Sequence, residues 1–91
     1  MVSKVVNDIY QQFDELDDFE DYLGYVYLDE FFNSDDFNSV VNELIAKGVA
    51  VSNITTDSFR IEFRDRGYYN LNVVNGIYGE LFFRIEKHID I

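Results

Sequence analysis

The chain has 91 residues, of which 47% are hydrophobic and 18% aromatic, and a net charge of −11. That length predicts one domain, the aromatic content argues against a disordered acidic tail, and the charge disfavours nucleic acid and anionic membrane as partners. With no cysteine in the sequence, disulfides, thiolate nucleophiles and thiolate metal sites are excluded.

The charge is unevenly placed. Residues 1–46 hold twelve Asp or Glu against Lys4 alone, whereas residues 47–91 hold six acids and six Lys or Arg. The run from Asp14 to Phe31 has eight acids among its eighteen residues and no cation. MVSKVVNDIY lacks the long apolar run of a secretory signal, and no stretch approaches the roughly 18 apolar residues that span a bilayer. A cytoplasmic location, in a bacterial host, is the expectation.

In chain order, Ser3 is placed to cap a helix whose apolar residues Val5, Val6, Ile9, Phe13 and Leu16 have helical spacing. Asp17 or Asp18 is placed to cap a second, with Glu20 and Asp21 in its first turn, where the helix dipole favours acids. Phe19, Tyr22, Leu23 and Val26 continue the helical period. Gly24 weakens it, and a short strand over Tyr25–Leu28 is the alternative. A third helix is predicted from Ser34 as N-cap to Gly48 as stop, with the apolar stripe Phe37, Val40, Val41, Leu44 and Ile45.

After Gly48 the period becomes two. Val49 and Val51 alternate with small residues, and Phe59, Ile61 and Phe63 alternate with charged ones. Asp65-Arg-Gly67 reads as a three-residue hairpin loop, which pairs Phe63 with Tyr69, Ile61 with Leu71 and Phe59 with Val73. Asn75-Gly76 reads as a two-residue turn. A bulge near Gly79 then sets Leu71 opposite Leu81 and Tyr69 opposite Phe83. The expected fold is α+β in a single domain, 1–91. Two or three N-terminal helices (1–48) pack on one face of a three- to four-stranded antiparallel meander (49–91). The inner face carries Phe59, Ile61, Phe63, Leu71, Val73, Leu81, Phe83 and Ile85. The outer face carries Arg60, Glu62, Arg64, Tyr68, Asn70, Asn72, Phe82, Arg84 and Glu86.

Catalytic patterns are weak. His88 is the only histidine, and no serine has the context of a nucleophile elbow. The acids occur as adjacent doublets, Asp14-Glu15, Asp17-Asp18, Glu20-Asp21, Asp29-Glu30 and Asp35-Asp36. Doublets on amphipathic helices face largely outward, unlike the cleft-bound pair that general acid–base work needs. No window has the oxygen and glycine positions of an EF-hand, and no glycine set forms a phosphate loop. No enzyme activity, cofactor or metal is expected. On the outer sheet face the arginines and aromatics could stack on bases, but a cross-strand ladder of opposite charges explains them more simply.

The acidic run fits a binding role better. Solubility alone is usually served by mixed charges, because like charges repel. Carboxylates three or four apart on a helix lie roughly 5–6 Å apart, similar to phosphate spacing along a nucleic-acid strand. Helix carried through Asp14, Asp17, Asp18 and Asp21 would give such a row, with Asp29, Glu30, Asp35 and Asp36 continuing it. The expected contact surface comprises Asp14, Glu15, Asp17, Asp18, Glu20, Asp21, Asp29, Glu30, Asp35 and Asp36, with Tyr22, Tyr25 and Tyr27 as aromatic anchors. Its expected partner is a basic protein surface, approached by fast, salt-sensitive association.

In its length, low isoelectric point, many Asp, Tyr and Phe residues and α+β layout, the chain resembles the small acidic inhibitors of phages and mobile elements, the anti-CRISPR and anti-restriction proteins. The resemblance is one of general character and rests on no motif. It implies a nucleic-acid mimic that occupies the nucleic-acid-binding or PAM-reading site of a bacterial effector nuclease. An immunity protein against a nuclease toxin and a homo-oligomeric adaptor, such as a homodimer closing a sheet edge, are the alternatives.

Overall fold

In the computed structural model, residues 2–15, 22–62 and 67–89 are described. They form helix α1 (Val2–Glu15), strand β1 (Tyr22–Leu28), helix α2 (Ser34–Ala46), and strands β2 (Val51–Ser52), β3 (Ser58–Glu62), β4 (Gly67–Asn75) and β5 (Leu81–Ile89). The class is α+β. Two helices and an antiparallel five-stranded sheet, in the order β1-β5-β4-β3-β2, build the described residues.

The first helix follows its apolar period, with Val5, Val6 and Ile9 buried. It already begins at Val2, so Ser3 lies inside it and does not cap it. The Ser3 hydroxyl instead donates to Glu43 of α2 at 3.4 Å. Leu16 and the side chain of Phe13 lie outside the described residues.

The helix expected through Tyr22, Leu23 and Val26 is a strand, Tyr22–Leu28, which takes in the Tyr25–Leu28 strand that was the alternative. β1 pairs along its whole length with β5, from Tyr22 opposite Lys87 to Leu28 opposite Leu81. Two-residue alternation prevails over the helical spacing: Gly24 and Val26 are buried while Tyr25 and Tyr27 are exposed. Aromatic and β-branched residues favour that pleated surface, and Val26 gains a place against Phe83. The sheet therefore has five strands, with β1 forming the edge beyond β5, where a three- or four-stranded meander was expected.

The second described helix forms where expected, but Asn33 caps it in place of Ser34. The Asn33 side chain accepts from the Asp36 N–H at 3.0 Å, and Asp36 accepts from the Asn33 N–H at 3.2 Å. Asn33 offers the same short oxygen as serine at the position where the backbone is still extended. Phe37, Val40, Val41 and Leu44 are buried, but Ile45 at the edge of the stripe is 48% exposed.

Both hairpin registers differ from expectation by an even number of residues, so the faces are unchanged. Phe59 lies opposite Leu71 and Ile61 opposite Tyr69, a slip of two. Gly67 does not turn the chain: it opens β4 opposite Ile89, with φ +151°. Phe63, with Arg64, Asp65 and Arg66, lies outside the described residues. Between β4 and β5, Asn75 is still paired, opposite Leu81, and the turn spans Gly76–Glu80. No bulge interrupts this ladder, which runs without a break from Gly67–Ile89 to Asn75–Leu81. The longer ladder sets Phe83 opposite Val73 and Ile85 opposite Leu71. Gly79, at φ +82°, supplies the left-handed residue of the longer turn.

The helices and the inner sheet face share one core. At its centre Phe37 of α2 meets Phe59 of β3 and Phe83 of β5, with ring centroids 5.8 and 6.1 Å apart, and Phe59 lies 5.8 Å from Phe83. Phe32 meets the other side of Phe83, edge-on at 5.8 Å. Each such contact adds about 0.5–1.5 kcal/mol beyond its area. Lys87 is also buried on this face.

Candidate functional site

The sheet has one end where strands and turns concentrate acids and exposed aromatics. The C-terminal end of β1, the start of β5, the end of β4, the start of β3 and the N-terminus of α2 converge there. After β1, Asp29 folds the chain tightly: its carboxylate accepts from the Phe31 N–H at 2.8 Å and its carbonyl from the Phe32 N–H at 2.9 Å. The turn leaves Phe31 77% exposed beside an exposed Glu30 and sends Phe32 inward. Asp35 and Asp36 follow in the first turn of α2, where the dipole offsets part of their charge.

The C-terminal half contributes to the same end. Asp57, held by the Thr55 hydroxyl at 3.2 Å, borders a cleft with Phe32, Ser34 and Leu81. In the β4–β5 turn the Gly76 N–H donates to the Glu80 carbonyl at 2.8 Å, and the Tyr78 N–H donates to the Glu80 carboxylate at 3.1 Å. This leaves Ile77 and Tyr78 almost wholly exposed. Glu80 also lines a cleft with Tyr25, Tyr27 and Phe82. Tyr25 and Tyr27 stand edge-on to the Phe82 ring, 5.2 and 6.0 Å away.

Among the described residues, few cations answer these acids. Lys4 borders the Tyr27, Leu28 and Asp29 surface, but its ammonium pairs with Asp8 at 3.2 Å. Arg60 lies 4.1 Å from the Tyr68 ring centre, and Tyr68 stacks on His88 at 4.9 Å. Glu86 bonds both Arg84 at 3.0 Å and His88 at 3.2 Å. Among the described residues, the Arg84–Glu86 ion pair of the outer face runs along β5, whose alternate residues share that face, where a ladder across strands was expected.

Of the residues expected at the contact surface, Tyr25, Tyr27, Asp29, Glu30, Asp35 and Asp36 gather at or beside this end. Asp36 is committed to the capping box, and Asp29 to its turn. Asp14 and Glu15 close α1, whose first turn lies by Leu28 and Asp29. Eight helical residues, about 12 Å of rise, lie between that turn and Asp14, and Tyr22 starts β1 at the far end from Leu28. The side chains of Asp14, Glu15 and Tyr22 lie outside the described residues. Asp17, Asp18, Glu20 and Asp21, and with them the expected phosphate-like row, lie outside the described residues.

Sequence reasoning missed Phe31, Asp57, Ile77, Tyr78 and Glu80. The Asn75-Gly76 turn signal pointed to the last three, but a two-residue turn would have put Ile77 and Tyr78 into a strand. Compared with protein-family models, curated proteins and solved structures, the chain matches none.

Proposed function

We propose that the protein is a non-enzymatic acidic inhibitor that binds the basic nucleic-acid-binding surface of a bacterial effector nuclease, in the manner of anti-CRISPR and anti-restriction proteins. Acting there requires residence in the bacterial cytoplasm. No described helix is long and apolar enough to cross a membrane. The observation that carries the reading is the sheet end at which Glu30, Asp35, Asp57 and Glu80 are exposed among Tyr27, Phe31, Ile77 and Tyr78.

Carboxylates of one sign attract a cationic groove and speed association. Large exposed aromatics supply the desolvated anchors that hold a complex once formed. Solvation alone accounts for the acids but leaves the rings exposed beside them without a use, since exposed apolar clusters are uncommon on monomeric surfaces. The acids of residues 14–21 add further charge to the same half of the sequence.

Capture from bacterial lysate tests this, using the native chain and a variant carrying Glu30→Lys, Asp35→Lys, Asp57→Lys and Glu80→Lys. The native chain should retain a nucleic-acid-binding protein at low salt and release it at high salt, and the variant should retain none. The same reversal at Asp17, Asp18, Glu20 and Asp21 should also abolish capture while leaving the fold intact. Equal capture by native and reversed chains, or capture indifferent to salt, would contradict the proposal.

A further inference from the structure

β1 is an edge with unusual features. Among the described residues it pairs only with β5, so its other side presents backbone N–H and C=O groups without a neighbouring strand. Natural edges are usually blunted by charge, proline, a bulge or shortness. The opposite edge of this sheet is short, since β2 has two residues. β1 has seven, YLGYVYL, with no charge and no proline, and its register with β5 is unbroken. On the outer face beside this edge, Tyr25 is 45% and Tyr27 73% exposed, both against Phe82.

The charges around the strand restrict what can add to it. Asp21 precedes β1 in the sequence, and Asp29 and Glu30 follow it. Glu80 borders the cleft with Tyr25 and Tyr27. A second copy fits poorly. Antiparallel pairing of two β1 strands brings the acids that follow the strand in one copy toward those that precede it in the other, and like charges opposite one another destabilise a sheet. An extended segment with apolar or β-branched residues at its centre and Lys or Arg at both ends meets the edge with backbone hydrogen bonds and the flanks with opposite charge.

We propose that the free edge of β1 takes up such a basic-flanked strand of the target protein by sheet extension. The inference rests on the function proposed above and specifies how the partner is held. Tyr25 and Tyr27 would pack on the outward-facing side chains of the incoming strand, and Asp29, Glu30 and Glu80 would pair with the basic end that lies beside Leu28.

The test uses the full chain and a synthetic peptide, Lys-Lys-Thr-Val-Thr-Val-Thr-Lys-Lys, with two controls. One control replaces the lysines with glutamates. The other keeps the lysines and carries N-methyl groups on alternate residues, which preserves charge and blocks strand pairing. The lysine peptide should bind and slow hydrogen exchange at alternate amides of residues 22–28. Both controls should bind about ten-fold more weakly or worse, as should the lysine peptide to a Tyr25→Lys, Tyr27→Lys variant. Equal binding by the N-methylated peptide, or binding without protection of β1, would show attraction by charge alone and overturn the inference. No binding of the lysine peptide overturns it too. Capture of a nucleic-acid-binding protein undiminished by Tyr25→Lys, Tyr27→Lys removes the edge pairing and leaves the inhibitor reading standing. Peptide pairing on β1 without any such capture does the reverse.

Discussion

Asn33 shows how one side chain sets where an element begins. Its oxygen receives the Asp36 N–H, and Asp36 returns the bond to the Asn33 backbone. The same contact consumes one of the acids expected to face a partner, so Asp36 is less available to a partner than the exposed Asp35. Asn33→Ala should lower stability by about 1 kcal/mol, read as a lower denaturant midpoint at unchanged slope. An unchanged midpoint would mean that the box contributes nothing. The sequence marked this helix start to within one residue, because Asn33 and Ser34 are both good caps and only the backbone conformation decides between them.

Among the elements, α1, α2 and the inner sheet face were legible because each buries a single periodic stripe. The register was not legible. Any even slip leaves Phe59, Ile61, Leu71, Phe83 and Ile85 on the same side, so alternation alone cannot choose among slips. The actual ladder wins by pairing all nine residues of β4 and bringing Phe83 and Phe59 within reach of Phe37. β1 was misjudged because Phe19, Tyr22, Leu23 and Val26 happen to satisfy a helical period. Its strand identity depends on β5, some sixty residues on, which a local window does not see. Phe83→Ala removes the ring shared by Phe32, Phe37 and Phe59, and should cost about 3–5 kcal/mol. Tyr27→Ser, at an exposed edge position, should stay within about 0.5 kcal/mol of native. Comparable losses from the two would contradict this placement of the core. The candidate site was half legible. The sequence supplied its acids from 29 to 36 and two of its tyrosines, whereas Asp57 and Glu80 reach the same end only through sheet topology.

At the scale of the whole molecule, salt should act through the net charge of −11 on folding and on the proposed binding in opposite senses. Folding draws like charges closer together, which costs stability. Added salt screens interactions between exposed charges more than about 8 Å apart at physiological ionic strength, so moderate sodium chloride should raise the melting temperature at neutral pH. A fall would mean that attractive pairs dominate the surface. Binding should respond the other way and weaken as salt rises, because the attraction to a cationic groove is screened too. In the proposed function the acidic and aromatic end occupies a surface made for nucleic acid. Competition tests it most directly: the captured partner is titrated with duplex DNA or guide RNA while its complex with the native chain is monitored. Mutually exclusive occupancy, with nucleic acid displacing the chain in proportion to its own affinity, is the predicted result. A stable ternary complex holding protein, partner and nucleic acid together would contradict it.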